Sequence, residues 1–208
     1  MNLQLETEEF DELFHKYEYA KQRLETEIDI LMKDFAYKHQ YNPVEHVKSR
    51  IKTKSSILEK LKRRGLEPTI ENVKKHIDDV VGVRIVCSFL TDVYDIVSIL
   101  SSSKNIIVRE KKDYISNPKS TGYSSYHLIV MVPVYLTEKV EHVFAEIQIR
   151  TIAMDFWASL DHKIQYKFED EIPEDVKTQM YDYSITIKEL DKKILALNEV
   201  VQKYKKNL

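Results

Sequence analysis

Three polar residues, Glu146, Gln148 and Arg150, alternate with apolar residues in one short stretch of the chain. Because successive side chains of a β-strand point to opposite faces, this alternation predicts a strand that buries its apolar side and presents a carboxylate, an amide and a guanidinium together. Thr151 follows as a predicted N-cap for the next helix, so the polar row would end at a strand-to-helix turn, where α/β sheets commonly bind ligands. An edge strand with a solvated polar face is the alternative interpretation.

A second carboxylate that could act in the same chemistry is Asp79. Together with Asp78 it stands at the entrance of a buried β run predicted over Ile77–Cys87. Gly82, one of only three glycines, interrupts this run and predicts a special backbone angle or a close approach of another group. Paired aspartates before a strand also serve as turn or N-cap residues, so a structural role is the alternative to metal binding.

Positive charge is concentrated between residues 44 and 65, where eight basic residues accompany two acidic ones, although the formal net charge of the chain is only −2. Asn42 and Pro43 predict the start of a helix, and Gly65 predicts its end. One face of that helix would carry a row of four residues beside Arg50: Lys52, Ser56, Lys60 and Arg63.

This row would be about 16 Å long, because an α-helix rises by 1.5 Å per residue. A row of donors of that length suits a triphosphate and its sugar better than a single phosphate. The small net charge argues against a protein that coats nucleic acid along its whole surface. A solvated basic face is the alternative interpretation.

A third group of polar residues follows a loop with clear turn chemistry at residues 117–122. A strand is predicted over Tyr123–Val132, and alternation along it places Tyr123, Ser125 and His127 on one face, beside Lys119. An aromatic ring, a hydroxyl and an imidazole next to a cation could clamp a nucleotide base and its phosphates. A histidine with a purely structural role is the alternative.

These groups together predict a site for two nucleotides. Carboxylates close to a polyphosphate are unfavourable unless a divalent cation lies between them, and Mg²⁺ held by one or two carboxylates and the substrate phosphates is the usual solution. Asp79 and Glu146 are the candidate metal ligands. Phosphoryl-type transfer then needs positioning, charge neutralisation and help in deprotonating the attacking hydroxyl.

The remaining sequence predicts one domain with helical extensions, since the chain has 208 residues, of which 43% are hydrophobic and 32% charged. The catalytic core is predicted over about 42–167, with long helices over 5–38 and 173–206. The last helix has an unbroken heptad pattern, so it should pack on the first helix or on another subunit. We predict no signal peptide and no membrane span, and the single Cys87 fits a reducing cytoplasm.

Three separated motifs carry a resemblance to a known family: DVVGVR at Asp79–Arg84, DYI at Asp113–Ile115 with KSTGYSSYH at Lys119–His127, and EIQIRT at Glu146–Thr151. They resemble the synthetase-domain motifs of the RelA/SpoT alarmone enzymes. The short chain is most similar to the small alarmone synthetases of the RelP type. The resemblance implies an α+β fold with a nucleotidyltransferase-like mixed β-sheet flanked by helices. It also implies transfer of the β,γ-pyrophosphate of ATP to the 3′-hydroxyl of GDP or GTP, giving (p)ppGpp and AMP.

The resemblance also implies roles for individual residues. It places Arg84 with Arg50 around adenine, and Asp79 and Glu146 on Mg²⁺, with Glu146 assisting removal of the 3′-hydroxyl proton. The other implied ATP-binding residues are Lys52, Ser56, Lys60 and Arg63. The implied residues for GDP or GTP are Lys112, Lys119, Tyr123, His127 and Gln148.

Several positions depart from the family pattern. Ser124 replaces a common arginine in the loop, and His46, Lys48 and Asp155 do not match the set that recognises the product in self-activated members. The resemblance implies a homo-oligomer, usually a homotetramer, and RNA binding is compatible with the basic segment without being required. Two rival functions stay open: the same donor chemistry on an adenine nucleotide or a tRNA 3′ end, and a non-catalytic nucleotide- or RNA-binding module.

Overall fold

The computed structural model describes residues 8–165, 167–168 and 172–206. In chain order the elements are α1 (Glu8–His39), β1 (Val44–Ile51), α2 (Lys54–Arg63), α3 (Ile70–His76), β2 (Val81–Cys87), α4 (Leu90–Ser102), β3 (Ile107–Asp113), β4 (Tyr126–Tyr135), β5 (Val140–Thr151), α5 (Ile152–Gln165) and α6 (Glu174–Lys206).

The five strands form one mixed sheet in the order β1-β2-β5-β4-β3. The central strands β2 and β5 run parallel, and every other neighbouring pair is antiparallel. Helices flank this sheet, so the α+β mixed-sheet architecture predicted from the resemblance is confirmed. A parallel pair needs a long connection, and here α4, β3 and β4 supply it.

One face of the sheet is apolar and packs in the same core as α1 and α4. Its central positions, Val83, Ile85, Leu128, Ile147 and Ile149, are all at most 1% exposed. Side chains on a strand alternate between faces, so burying this set leaves the intervening polar residues on the opposite face. The alternation predicted for the stretch ending at Arg150 is therefore confirmed.

Two local predictions about helix ends are also confirmed. Thr151 is the last residue of β5, and its hydroxyl oxygen accepts the backbone N–H of Met154 at 3.1 Å, as an N-cap of α5 does. Gly65 follows α2 with a φ of +67°, the left-handed angle that favours glycine after a helix. The predicted long first helix is α1, and those of its predicted residues that precede Glu8 lie outside the described residues.

The prediction of one helix from Asn42 to Gly65 was wrong, because Val44–Ile51 forms the edge strand β1. An edge strand is only partly buried, so its polarity does not alternate cleanly, and pairing with β2 overrides the local helix signals. Asn42 accepts the backbone N–H of Val44 at 3.1 Å and so makes a turn in place of the predicted cap. The continuous row from Lys52 to Arg63 on one helix therefore does not exist.

Two smaller predictions also need correction. Strand β2 begins at Val81 rather than Ile77, and Asp79 lies in the preceding turn. Gly82 has no positive φ, and a Cβ atom there would meet the side chain of Arg50 at an ordinary 3.7 Å. Gly82 is therefore neither strained nor unusually crowded.

The last helix forms as predicted, and α6 packs on α4 and α5. The buried side of α6 is partly polar and includes Ser184 and Asp191, whereas several heptad residues are exposed: Tyr183, Leu190, Ile194, Leu197, Val201 and Tyr204. None of the helices in the described ranges is both long and apolar enough to cross a membrane.

Candidate active site

Five polar side chains lie in one row across the polar face of the sheet, one from each strand. The strand register pairs Lys112 with His127, His127 with Gln148, Gln148 with Arg84, and Arg84 with Lys48. Directly paired residues of neighbouring strands project from the same face. The sheet therefore brings predicted donor and acceptor residues, distant in sequence, onto one surface.

The adjacent row contains the predicted catalytic glutamate. Glu146 on β5 pairs with Gly82 on β2, which in turn pairs with Arg50 on β1. Because Gly82 has no side chain, the Arg50 side chain can lie over it on this face. Arg50 and Arg84 line a cleft of about 280 Å³ together with Gly82 and Gln148. Two guanidinium groups at such a cleft are suited to a planar base and its phosphates.

The carboxylate of Asp79 lies between two ammonium groups. Its two oxygens contact Nζ of Lys60 at 2.8 Å and Nζ of Lys52 at 2.9 Å. Burial by itself would raise the pKa of Asp79, but the hydrogen bonds from the two lysines outweigh it and hold the pKa below the ordinary value. Lys52 follows β1 and Lys60 lies on α2, so the structure brings both predicted phosphate-binding lysines together despite the error in secondary structure.

Glu146 is part of a closed ring of hydrogen bonds. Its carboxylate contacts Nδ1 of His127 at 3.0 Å and accepts a hydrogen bond from the amide of Gln148 at 2.6 Å. Nε2 of His127 lies 2.9 Å from the hydroxyl of Tyr123. Arg150 completes the ring, because its Nη2 donates to the Tyr123 hydroxyl at 3.0 Å and also to the Gln148 side-chain carbonyl.

The chemistry of its members determines which group donates and which accepts in each hydrogen bond of the ring. Arg150 has only N–H donors, so the Tyr123 oxygen accepts from it and the tyrosine hydroxyl is free to donate to Nε2 of His127. The proton of the neutral imidazole then lies on Nδ1 and points at Glu146. Every bond of the ring can therefore be satisfied with the donors directed towards the Glu146 carboxylate.

The hydrogen bonds from these donors stabilise the ionised form of Glu146. Burial would raise the pKa of its carboxyl group, but the hydrogen bonds from His127 and Gln148 lower the pKa below the ordinary value. The charge of Asp79 acts in the opposite direction and raises the pKa of Glu146. Glu146 is therefore ionised at neutral pH.

Aromatic rings enclose the other side of His127. Tyr114 and Tyr123 meet the imidazole edge-on, with ring centroids at 5.1 and 5.9 Å. Nζ of Lys119 lies 5.0 Å from the centre of each tyrosine ring. Burial raises the pKa of Tyr123, which keeps its hydroxyl protonated as a donor. The predicted acceptor residues thus form one aromatic and cationic group.

Two residues of the site were not among the predicted site residues. Arg150 is only 2% exposed, and besides closing the ring it contacts Asp155 at 3.4 Å. Asp155 also contacts Arg84 at 3.2 Å, so it links the acceptor side to the adenine side. The alternation along β5 pointed to Arg150, whereas Asp155 follows the strand in α5 and no local pattern marked it.

Not every predicted residue joins these clusters. Among the described residues, Arg63 is exposed and forms no contact with another predicted site residue, and the Ser56 hydroxyl bonds only to Thr53, at 3.0 Å. Ser125 was predicted to share a face with Tyr123 and His127, and its side chain does form a hydrogen bond with that of Tyr123. Ser125 precedes β4, is fully buried and donates to the carbonyl oxygen of Ile149 at 3.1 Å.

The carboxylates suit a hard cation that also binds phosphate. Within the described ranges, no three His, Cys, Asp or Glu side chains are grouped as a complete metal site. Mg²⁺, however, is commonly bound by one or two carboxylates together with substrate phosphates. Asp79 and Glu146 supply that number of hard oxygen ligands, beside the phosphate-binding cations Lys52 and Lys60. The residues present therefore fit Mg²⁺ bound together with a nucleotide.

Comparison with known proteins adds independent findings. Residues 49–171 match the profile of the family described as "Region found in RelA / SpoT proteins". The chain is 45% identical over 185 residues to the GTP pyrophosphokinase YwaC of Bacillus subtilis, and the match covers 89% of this chain and 88% of that protein.

Solved structures with the same fold include small alarmone synthetase 1 of Bacillus subtilis bound to its product pppGpp. The TM-score is 0.85 at 32% identity, covering 94% of this chain and all of the other. The same enzyme bound to AMPCPP matches with a TM-score of 0.77 at 30% identity, covering 95% of this chain and all of the other.

Proposed function

The chain belongs to the RelA/SpoT family, and from this premise we propose that it is a GTP pyrophosphokinase that makes (p)ppGpp. In the reaction, the 3′-hydroxyl oxygen of GDP or GTP bonds to the β-phosphorus of ATP, and the bond from that phosphorus to the oxygen shared with the α-phosphate breaks. AMP leaves, and the hydroxyl proton passes to a base. The observation that carries the proposal is the position of Glu146 between the cationic donor side and the aromatic acceptor side.

On the donor side, Arg50 and Arg84 bind the adenine at their cleft, and Lys52 and Lys60 bind the phosphates. The two lysines already form ion pairs with Asp79. When a polyphosphate binds, they would exchange this carboxylate for the phosphate oxygens. The binding of AMPCPP by a protein of the same fold supports a nucleotide as a ligand of this fold. Ser56 and Arg63 lie on α2 and extend the phosphate-binding surface.

On the acceptor side, Tyr123 stacks on the guanine, and Lys112, Lys119 and His127 bind the phosphates of GDP or GTP. Burial would lower the pKa of Lys112, but Glu110 and the charge of Glu146 raise it above its ordinary value, so Lys112 stays cationic. The binding of pppGpp by small alarmone synthetase 1 supports a guanosine nucleotide as a ligand of this fold.

At the centre, Glu146 orients the 3′-hydroxyl and takes up its proton. Its carboxylate is ionised and held from two sides by His127 and Gln148, so its orientation is fixed before the substrate arrives. When bound by Asp79 and Glu146, Mg²⁺ supplies charge neutralisation for the transferred phosphates.

The test is incubation of the protein with ATP, Mg²⁺ and either GDP or GTP, followed by separation of the nucleotides. We expect a guanosine nucleotide with a 3′-pyrophosphate and an equal amount of AMP. Unconsumed ATP with both acceptors would contradict the proposal. Parallel reactions with ADP and with tRNA test the rival acceptors, since consumption of ATP with only one of these would assign the chemistry to that acceptor.

We further propose that the protein is a homo-oligomer, with a homotetramer expected. The support is the exposed heptad side of α6, because a continuous exposed apolar surface commonly marks a protein–protein interface. The side of α6 that packs on its own chain, in contrast, includes the polar residues Ser184 and Asp191.

A further inference from the structure

A cavity of about 150 Å³ lies between the loop at 118–124, α5 and α6, next to the predicted acceptor side, with which it shares Lys119. We call it the α6 cavity. It is lined by residues of all three segments, among them Lys119, Ser124, Trp157, Ile185, Lys188 and Asp191.

Two buried polar groups of the α6 cavity lack a partner. Trp157 is only 5% exposed, and in the described part of the chain its indole N–H makes no hydrogen bond. The hydroxyl of Ser124 is likewise buried without a partner among the described residues. An unpaired buried polar group is energetically unfavourable, so such groups usually meet a ligand or water. Both residues line the same cavity.

The charge of the cavity favours an anion. Lys188 donates only to the carbonyl oxygen of Ile115, at 3.4 Å, and Lys119 contacts only aromatic rings; neither forms an ion pair in the described part of the chain. Asp191 is the one acidic residue among the described residues of the lining, and it already accepts a hydrogen bond from the Thr151 hydroxyl at 2.7 Å. The groups left over are therefore mainly cationic or N–H and O–H donors.

The rest of the lining is mostly apolar and includes Met154, Ile185 and Ile187. An apolar cavity of about 150 Å³ holds a benzene molecule. We propose that the α6 cavity binds a small organic oxyanion, a carboxylate on an apolar body about the size of a benzene ring. Its oxygens accept from Trp157, Ser124 and Lys188, and its apolar body packs against α6.

The cavity is coupled to the predicted acceptor side by direct packing. A Cβ atom on Gly122 would lie 1.9 Å from the Ser184 hydroxyl oxygen, so the loop approaches α6 as closely as glycine allows. Gly122 also has a φ of +77°. A ligand that bridges Ser124 and Lys188 therefore holds the loop of Lys119 and Tyr123 against α6.

Trp157 is the only tryptophan of the protein, so its fluorescence reports directly on the cavity. The experiment is a titration of the full chain with benzoate, with benzyl alcohol as the neutral counterpart. We expect a saturable change in emission with benzoate, with a Kd on the order of 1 mM, as for other ligands of this size. Benzyl alcohol should bind at least about tenfold more weakly. No saturable change with benzoate, or equal binding of the two compounds, would overturn the proposal.

Variants identify the groups that bind the oxyanion. Lys188→Met should weaken benzoate binding about tenfold, and Ser124→Ala about fivefold. Lys192→Met is the matched control, because Lys192 is exposed on the same helix and does not line the cavity. Thermal melting checks that each variant is folded. Equal binding by the Lys188 and Lys192 variants would place the anion elsewhere and overturn the proposal.

A functional consequence rests on the proposed synthetase activity. Because the ligand fixes the acceptor loop, benzoate should lower the KM for GTP and leave the KM for ATP unchanged. A chain without synthetase activity would fail this assay while still giving the fluorescence response, so failure of the proposed function is distinguishable from failure of the cavity proposal. Equal changes in both KM values would contradict coupling through the loop.

Discussion

Glu146 is the residue on which the hydrogen bonds of the site converge. Its two oxygens are held by His127 and Gln148, and these two are in turn joined through Tyr123 and Arg150. A buried carboxylate held in this way is charged and has a fixed orientation, which suits a group that accepts a proton at one defined atom. A protein that only bound polyphosphates would gain nothing from a buried negative charge at this place.

Glu146→Gln should separate catalysis from binding. Glutamine keeps the shape but cannot accept a proton or balance a cation, so we expect kcat to fall by about 10²–10⁴. Nucleotide affinity measured without Mg²⁺ should stay the same or improve, because a negative charge near the phosphates is removed. Calorimetry and single-turnover assays measure the two effects. Full activity in this variant would show that Glu146 is not the central residue.

Arg150 acts through its neighbours, so it is a positioning residue. Its guanidinium donates to Tyr123 and Gln148 and also contacts Asp155, and lysine cannot reproduce such a planar fork. Arg150→Lys should therefore raise the KM for GDP or GTP about tenfold and leave the KM for ATP nearly unchanged.

A double-mutant cycle with Tyr123→Phe tests this role. Since the two side chains share a hydrogen bond, the second substitution should add little once the first is present. Additive effects, or an equal rise in the KM for ATP, would mean that Arg150 supports only the general fold.

At the scale of elements, the junction of β5 and α5 ties the site to the last helix. Thr151 ends β5, caps α5 and donates to Asp191 of α6 at 2.7 Å. Burial raises the pKa of Asp191, and the hydrogen bond from Thr151 only partly offsets this effect. The folded state therefore holds a proton on Asp191 more strongly than the unfolded chain does.

This shift predicts a pH-dependent effect of Asp191→Asn. Because the folded-state pKa is raised, ionisation of Asp191 destabilises the fold as the pH rises above the ordinary aspartate pKa of about 3.9, and the full loss is present above the raised value. Asparagine still accepts from Thr151 but carries no charge. Its Tm should exceed that of the original chain at neutral pH, and the difference should vanish at about pH 4.

The matched control is Asp182→Asn, since Asp182 is exposed on the same helix. Its Tm should not differ from that of the original chain at either pH. An Asp191 variant that is less stable at neutral pH would show that the charge of Asp191 stabilises the junction.

At the scale of the whole molecule, α6 is turned so that much of its apolar heptad side faces away from its own chain. Leu197 is 63% exposed and Tyr204 is 72% exposed, whereas Ser184 and Asp191 are buried. A helix with this distribution gains stability when a second apolar surface covers the exposed side. The orientation supports association of several copies through α6.

Leu197→Glu should break that association. A charge in the centre of an apolar interface remains desolvated and unpaired, so we expect the dissociation constant to rise at least about 100-fold. Light scattering after size exclusion measures the mass against the 24.7 kDa of one chain. Ile30→Glu is the control, because Ile30 is 56% exposed on α1, outside the heptad side. If the original chain, without any substitution, has the mass of a monomer, the proposed homo-oligomer is wrong.

The sequence alone predicted features that depend on short-range periodicity. The alternation before Thr151 predicted the face of β5 that carries Glu146. Apolar residues three, four and seven apart predicted the long first helix, and the heptad pattern predicted the last. Thr151 and Gly65 were identifiable because the ends of helices have local steric and hydrogen-bonding requirements. These patterns, with the three family motifs, were sufficient to predict the fold class and the site region.

Only the tertiary structure decided which distant groups meet. Val44–Ile51 is a strand because it pairs with β2, and local signals that favoured a helix could not show this pairing. Segments far apart in the chain also meet in the contacts of Asp79 with Lys52 and Lys60 and in the ring through Arg150. The side of α6 that faces outward was likewise decided by how this helix packs on the rest of the chain. Local sequence sets the conformations that each segment favours, but burial and pairing between segments select among them.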